Sequence, residues 1–311
     1  MNKNNDKHII ITAGSNYLDI DAYACMVAMA EVLKLQGVDA VAYSKAPCNY
    51  SVCEYLVEDG QVIKTLPFDA CDENLQYIIV DVSDPDFIKE SAPLDRVIEV
   101  YDHHVGFENF WGNRIGDNAH IEFIGAAATL IYRQWEKSGL QDKMKSSTAK
   151  LLIAAILDNT LNLTSTNTTP EDVEVFNRLC AIANVEKEWC ASYFSEVQKN
   201  VEADLKNAML KDVKAVRNNP VLPPKVAQLC VWDANSILAR LDEIRGWFAD
   251  DETYMINFID LKQSCSYFLC EDETSQKKIE KVFNVQFENS IAKTEKPYLR
   301  KQILKNVLNS I

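Results

Sequence analysis

The 311-residue chain is poor in several features that mark specialised classes of protein. It has only nine glycines, nine prolines and four histidines, and 32 Lys and Arg residues face 46 Asp and Glu residues. The low Gly and Pro content argues against long flexible linkers. A net charge of −14 repels phosphate-rich polymers, so the binding of long nucleic acid by a broad basic surface is disfavoured.

The sequence also lacks the patterns of disulfide-bonded, zinc-ribbon and membrane proteins. Its nine cysteines are odd in number and form no Cys-x-x-Cys pair, and several lie in apolar runs where a reduced thiol packs as a small hydrophobe. The apolar run that begins at His8 ends at Ala13, which is too short for a signal peptide or a membrane span. These observations predict a cytoplasmic protein with reduced cysteines and no membrane partner.

The length of the chain and its alternating strand and helix patterns predict two α/β domains, since 311 residues are more than a single hydrophobic core usually contains. In the first part, β-branched runs alternate with helical patterns, which predicts a parallel sheet with crossover helices. The pattern changes after a charged helical stretch at 185–210. We therefore predict a parallel-sheet domain over residues 1–190 and a smaller mixed α/β domain over residues 200–311.

Individual elements follow from the same patterns. In the first domain the predicted strands are 8–13, 40–43, 77–81, 97–101 and 119–124. An apolar helix is predicted over 146–157, directly before Asp158, and another begins at Pro170 with Thr169 as its cap. In the second domain the predicted strands are 225–232, 254–261 and 264–270, the last two as a hairpin. Its predicted helices are 235–248, 275–283 and 298–308.

Acidic and imidazole side chains collect where these elements end. Half of the four histidines stand side by side in Asp102-His103-His104, after the fourth strand. Parallel sheets gather their sites at the carboxyl ends of their strands, so these groups are expected to converge with the carboxylates listed next. The other members of the set are Asp19, Asp21, Asp81 and Asp158.

Five carboxylates and two imidazoles in one place would repel one another unless cations were bound among them. Two divalent ions would neutralise the set, and oxygen-rich ligands with few histidines suit Mn²⁺ or Mg²⁺, with Co²⁺ a further option. Such a pair of ions is used to hydrolyse phosphoesters and phosphoanhydrides. Taken alone, Asp19 and Asp21 are better explained as helix caps, so the prediction rests on the whole set.

The segments that carry these residues resemble, in order, the motifs of the DHH phosphoesterase superfamily, over most of the chain. They are Gly14–Ala22, Ile78–Asp81, Asp102–His104, and Ile124–Thr129 followed by Ile156–Thr160. A branch with oligonucleotide and cyclic-dinucleotide hydrolases carries a Gly-Gly-Gly-His signature, whereas this chain has no adjacent glycines.

The second domain is similar to the DHHA2-type branch of manganese-dependent inorganic pyrophosphatases and short-chain exopolyphosphatases. The matching segments are 210–216, 226–228 and 299–303. Leu299 stands where that branch has Ser, and Lys305 where it has Pro, so the last segment matches only in part.

The resemblance implies a site of two Mn²⁺ ions. Asp19 and Asp21 would each hold one ion, Asp81 would bridge both, and His103 and Asp158 would complete the shells.

The resemblance also implies catalytic and substrate-binding roles. Asp102 would orient the imidazoles, and His104 would contact the substrate phosphate or assist the leaving group. Lys214, Arg300 and Lys301 would bind phosphates from the second domain, so that the site is a cleft between the domains.

One departure affects the expected substrate. Pyrophosphatases of this branch have a metal-binding His where this chain has Ser15, and Asn16 stands beside it. We therefore predict hydrolysis of short inorganic polyphosphates. Three alternatives stay open, namely a manganese-dependent pyrophosphatase, a small-nucleotide phosphodiesterase and a non-catalytic sensor of phosphate compounds. The expected partner is a small phosphate-containing substrate, and a homodimer is one assembly that the sequence allows.

Overall fold

The computed structural model describes residues 7–68, 72–216, 219–249 and 253–308. The chain divides into two compact units, Met1–Cys190 and Ala191–Ile311. The first contains a five-stranded parallel sheet and the second a five-stranded mixed sheet, so the predicted fold class is confirmed. Within the described ranges, no helix is both long and apolar enough to cross a bilayer.

The first unit alternates strands and helices along the chain. Its strands are β1 His8–Thr12, β2 Ala40–Ala42, β3 Leu75–Val80, β4 Val97–Asp102 and β5 Ala119–Ile121. Its helices are α1 Ile20–Leu35, α2 Pro85–Ile88, α3 Glu108–Ile115, α4 Ala127–Ser138, α5 Ser146–Asn159 and α6 Pro170–Ala183. Helix α7, Lys187–Ala203, contains the division between the units.

The strand order in the first sheet is β2-β1-β3-β4-β5. Strand β1 therefore has β2 on one side and β3 on the other, and the direction of chain progression reverses at this point. Ligands of open α/β sheets bind outside the carboxyl ends of the strands at such a switch point. The loop after β1 carries most of the predicted first motif, and the predicted second motif ends at Asp81, the first residue after β3.

The sequence explains why these elements form. Helices α1 and α5 are apolar around most of their circumference, and they are buried along nearly their whole lengths. Helix α6 begins with a capping box in which Thr169 and Asp172 exchange hydrogen bonds, followed by Pro170 at the first helical position. Under the sheet, a separate core packs Ile10, Tyr77 and other strand residues against the fully buried Trp111.

The second unit is built on the strand order β10-β9-β8-β7-β6. Strands β7 and β8 are parallel, and the other neighbouring strands are antiparallel. The strands are β6 Lys214–Ala215, β7 Lys225–Val231, β8 Met255–Asp260, β9 Cys265–Cys270 and β10 Ile291–Lys293. The helices are α8 Leu205–Lys211, α9 Asn235–Leu238, α10 Leu241–Trp247, α11 Glu273–Phe283 and α12 Arg300–Leu308.

Some elements differ from the prediction. The single helix expected over 235–248 is wrong, because the chain breaks at Ala239 and Arg240 into α9 and α10. The edge strands β6 and β10 have two and three residues, too few to leave a periodic signal. Helix α5 continues to Asn159, so Asp158 lies within its last turn rather than after it.

Candidate metal centre

Two aspartates reach the candidate site from the ends of β1 and β3. Asp19 caps α1, where its side chain accepts a hydrogen bond of 2.9 Å from the backbone N–H of Ala22. Asp81 follows β3 with φ of +58°, and its N–H donates to the carbonyl of Tyr101 at 2.8 Å. A positive φ is uncommon for a residue other than glycine, although Asp adopts it more readily than most, and such conformations cluster at functional sites.

The end of β4 supplies two imidazoles in different settings. His103 is buried, with Nδ1 3.3 Å from the carbonyl oxygen of Ile124 and Nε2 3.5 Å from Oδ1 of Asp81. A backbone carbonyl on Nδ1 places the proton there and leaves Nε2 to act as a metal ligand. The side chain of His104 is 61% exposed, and its Nδ1 lies 2.9 Å from Oδ1 of Asp102. Asp102, which is fully buried, thus orients His104.

These side chains meet the basic requirement for a divalent cation. Asp81, His103 and His104 each offer a ligand atom, and the three atoms lie within 4.8 Å of one another. In the described part of the chain, Oδ1 of Asp81 is buried and receives no hydrogen bond. Burial raises the pKa of Asp81 well above its usual range, and the nearby Asp19, Asp21 and Asp102 raise it further. A bound cation would relieve this repulsion, so the residues present fit the metal that the sequence predicts.

Asp21 has a second role that the sequence did not reveal. Its carboxylate accepts hydrogen bonds from the N–H groups of Ala127 and Ala128 at the start of α4, both at 2.8 Å. It also accepts from Nδ2 of Asn159 at 3.0 Å and from the thiol of Cys25 at 3.3 Å. Asp21 is therefore a buried cap that joins α1 to α4, beside the carboxylate cluster.

A cavity of about 400 Å³ opens at the carboxyl ends of these strands. Asp19, Asp81, Asp102 and His104 line it, as do Ser15 and Asn16. Asp158 is half-buried in the last turn of α5, next to the Asn159 that contacts Asp21. The structure thus gathers most of the predicted first-domain residues around one end of the sheet.

The three residues of the second unit that are predicted to bind phosphate differ in exposure and in hydrogen bonding. Lys214 is exposed on β6, and Lys301 is exposed on α12. The guanidinium of Arg300 donates to Oδ1 of Asp212 and to its carbonyl oxygen, both at 2.7 Å. The N–H of Arg300 donates to Oε1 of Gln228 at 2.6 Å, which fixes the start of α12.

Comparison with known proteins finds relatives that match most of this chain. No family model matches it. A probable manganese-dependent inorganic pyrophosphatase of Bacillus licheniformis is 24% identical over 299 residues, which are 91% of this chain and 92% of that protein. One of Exiguobacterium sp. is 25% identical over 251 residues, which are 78% of this chain and 77% of that protein.

Solved structures show the same fold. A putative family II inorganic pyrophosphatase of Methanococcus jannaschii superposes with a TM-score of 0.65 at 19% identity, covering 97% of this chain and 99% of its own. An exopolyphosphatase-related protein from Bacteroides fragilis superposes with a TM-score of 0.52 at 13% identity. The match covers 98% of this chain and 91% of that protein. The resemblance expected from the sequence is confirmed, since manganese-dependent pyrophosphatases and an exopolyphosphatase-related protein match over most of the chain.

Several groups that hold His103 and His104 in place were not predicted from the sequence. The hydroxyl of Ser83 donates to the carbonyl of His104 at 3.1 Å, and Nε1 of Trp111 donates to the carbonyl of Ser83 at 2.7 Å. Asp84 caps α2, and nothing in the Ser83-Asp84-Pro85 segment indicates the contact with His104. The carbonyl of Ile124, which holds His103, is a backbone group and leaves no sequence signal.

In the metal-free protein, Asp21 should make the free energy of unfolding increase as pH falls, which is the opposite of what an ordinary surface aspartate with a lowered pKa does. Burial, with a further contribution from Asp19, raises the pKa of Asp21 to about 7. Folding then takes up a proton between about pH 4, the ordinary value, and pH 7. The contribution of Asp21 to stability should therefore rise as pH falls through this window, by up to about 1.4 kcal/mol per pH unit.

The measurement is urea unfolding of the wild type and of Asp21→Asn at pH 7 and pH 5, with a chelator present. The wild type should gain stability relative to the variant on going to pH 5. Parallel changes in the two proteins would show that Asp21 titrates normally in the folded state.

Proposed function

We propose that this chain is a metal-dependent hydrolase of phosphoanhydride bonds, with short inorganic polyphosphates as substrates. The observation that carries the proposal is the cluster of Asp81, His103 and His104 at the carboxyl ends of neighbouring parallel strands, where Asp81 and His104 line a cavity. The names of the relatives, manganese-dependent pyrophosphatase and exopolyphosphatase-related protein, support the same chemistry. We further propose that two Mn²⁺ ions act there in a cytoplasmic enzyme.

The first role of the chain's residues in this proposal is to bind the metal. In this proposal the ions would be held by Asp19, Asp21, Asp81, His103 and Asp158. When bound, they would supply a water of lowered pKa and neutralise phosphoryl oxygens.

Asp102 has a positioning role in this proposal. Its Oδ1 accepts hydrogen bonds from the backbone N–H and from Nδ1 of His104, so the tautomer of that imidazole is set. Nε2 of His104 is then the atom that contacts the phosphate or passes a proton to the leaving oxygen.

The second unit would supply positive charge through Lys214, Arg300 and Lys301. Because Asp212 already pairs with the guanidinium of Arg300, a substrate phosphate must share or replace that carboxylate. The placement of these residues against the metal site is part of the proposal, as is a homodimeric assembly.

Pyrophosphate is the second candidate substrate. The relatives' names favour it, whereas Ser15 occupies the position of an expected His ligand. In the structure the hydroxyl of Ser15 donates to the carbonyl of Phe87 at 3.4 Å, and the N–H of Ser15 contacts the same oxygen at 3.2 Å. A side chain engaged in this way supports a site other than that of a standard pyrophosphatase.

The test is phosphate release from tripolyphosphate and from pyrophosphate with Mn²⁺, Mg²⁺ or Co²⁺ after removal of bound metal. We expect Mn²⁺ to restore activity, with tripolyphosphate cleaved at the higher kcat/KM. Faster cleavage of pyrophosphate would favour the second candidate. Mn²⁺-dependent binding of either compound without any release would identify a sensor and overturn the hydrolase.

A further inference from the structure

The cavity that holds the acidic cluster has a second wall that is apolar. Tyr17, Phe87, Val105 and Phe107 line it, and we call these four residues the apolar rim. Ten large hydrophobic side chains are exposed in the described part of the chain, and three of them belong to the rim. Tyr17 is 57% exposed, Phe87 48% and Val105 55%. Apolar side chains concentrated in one cavity mark a surface that a ligand covers.

One side of the apolar rim is held by hydrogen bonds around α2. The side chain of Asp84 caps this turn by accepting from the N–H of Asp86 at 2.9 Å, and Pro85 stands at its first position. The carbonyl of Phe87 accepts the two hydrogen bonds from Ser15. The loop after β1 and helix α2 are thereby joined at the backbone of Phe87.

The other side of the apolar rim is also fixed. Val105 follows His104, whose carbonyl accepts from the hydroxyl of Ser83, and Ser83 in turn accepts from the buried indole of Trp111. A wall held in this way loses little conformational entropy when a ligand packs on it. The apolar rim is therefore a preformed binding surface.

The chemistry of the cavity indicates what covers this wall. None of its described lining residues is Lys or Arg, and four are aspartates, namely Asp19, Asp81, Asp84 and Asp102. An inorganic phosphate chain offers only anionic oxygens, which gain nothing from exposed aromatic rings. An aromatic base gains stacking energy from such rings without needing a specific hydrogen-bond pattern. The cavity of about 400 Å³ lies within the range of sites that enclose organic ligands.

We infer that the site accepts a nucleoside polyphosphate, with the base packed on Tyr17 and Phe87 and the phosphates directed to the cluster of Asp81, His103 and His104. This inference rests on the proposed hydrolase function. The oxygen of water forms a bond to the terminal phosphorus, and the bridging P–O bond breaks with its electron pair leaving on the diphosphate oxygen. The products are a nucleoside diphosphate and inorganic phosphate, and the proton lost by water is taken up by the leaving oxygen or released to solvent.

The experiment compares adenosine triphosphate with tripolyphosphate, because both present a chain of three phosphates and only one carries a base. Initial rates are measured with saturating Mn²⁺ for the wild type, Phe87→Ala and Tyr17→Ala. Phe123→Ala is the matched control, since Phe123 is a 69% exposed ring that does not line the cavity. Thermal melting checks that each variant is folded.

We expect the wild type to show a lower KM for adenosine triphosphate than for tripolyphosphate. The ratio of kcat/KM for the two substrates should fall about fivefold to a hundredfold in Phe87→Ala, the range for loss of one stacked ring. The ratio should be unchanged in Phe123→Ala. If Phe87→Ala lowers both rates equally, the rim serves folding or closure and the inference is wrong.

Hydrolysis of tripolyphosphate alone would leave the proposed function standing and overturn this inference. If neither compound is hydrolysed, the proposed function fails, and calorimetric titration with adenosine diphosphate and with pyrophosphate in Mn²⁺ decides the inference separately. The diphosphate of adenosine should bind more tightly, and Phe87→Ala should remove the difference. Equal binding of both compounds would exclude a base site.

Discussion

Asp81→Asn should reduce kcat/KM for phosphate release by about three orders of magnitude, because the variant loses a carboxylate that would hold the metal in the proposed site. The same substitution should stabilise the metal-free protein. The pKa of Asp81 lies well above its usual range because the side chain is buried near Asp19, Asp21 and Asp102, so its ionised form destabilises the fold at neutral pH. An amide of the same shape removes this charge.

The two effects are measured together. Thermal melting with and without Mn²⁺ should show a higher Tm for the variant when metal is absent. Mn²⁺ should raise the Tm of the wild type and have little effect on that of the variant. The control is Asp117→Asn, at an exposed position that does not line the cavity. It should match the wild type in both assays. A variant that retained activity and its Mn²⁺ response would rule out Asp81 as a ligand.

Asp172→Ala should cost about 3–5 kcal/mol of unfolding free energy, because several buried donors lose a charged acceptor and each such loss costs about 1–3 kcal/mol. Asp172 is fully buried, and its carboxylate accepts from the N–H of Gly125 at 2.9 Å and from the hydroxyl of Thr129 at 2.6 Å. It also accepts from the N–H and the hydroxyl of Thr169, both at 2.7 Å. Alanine leaves all of these donors without an acceptor and opens a void between α4 and α6.

Urea unfolding measures the loss, with Asp117→Ala as the exposed control. The control should lie within about 0.5 kcal/mol of the wild type. Gly125→Ala tests the same network from the other side. A Cβ at Gly125 would lie 2.5 Å from Oδ2 of Asp172 and 2.7 Å from Cγ2 of Thr160, so that variant should also be destabilised. A loss below about 1 kcal/mol in Asp172→Ala would show that water replaces the carboxylate.

Much of the first unit was predictable because its signals are local. The β-branched run of β1 and the apolar length of α5 are readable within a few residues, and acidic groups at strand ends indicate where parallel strands place a site. Asp81 and the pair of histidines were predicted in this way and lie together in the structure. The resemblance to a known superfamily then set their order along the chain.

The contacts that complete the site could not be predicted, because they join residues distant in sequence. The hydrogen bond from Ala127 to Asp21 spans 106 residues, and the one from Gly125 to Asp172 spans 47. No periodic pattern encodes which backbone N–H a buried carboxylate will meet. The apolar rim was missed for the same reason, since Tyr17 and Val105 lie in two loops and Phe87 in the short helix α2.

The hydrogen bonds of Asp21 bear on the order of events when the protein is made. Four donors already satisfy this carboxylate, so the junction of α1 with α4 does not need an ion to hold it together. If the site binds Mn²⁺ as proposed, the chain made without metal should therefore fold and remain inactive. Addition of Mn²⁺ should then restore activity without refolding or new synthesis.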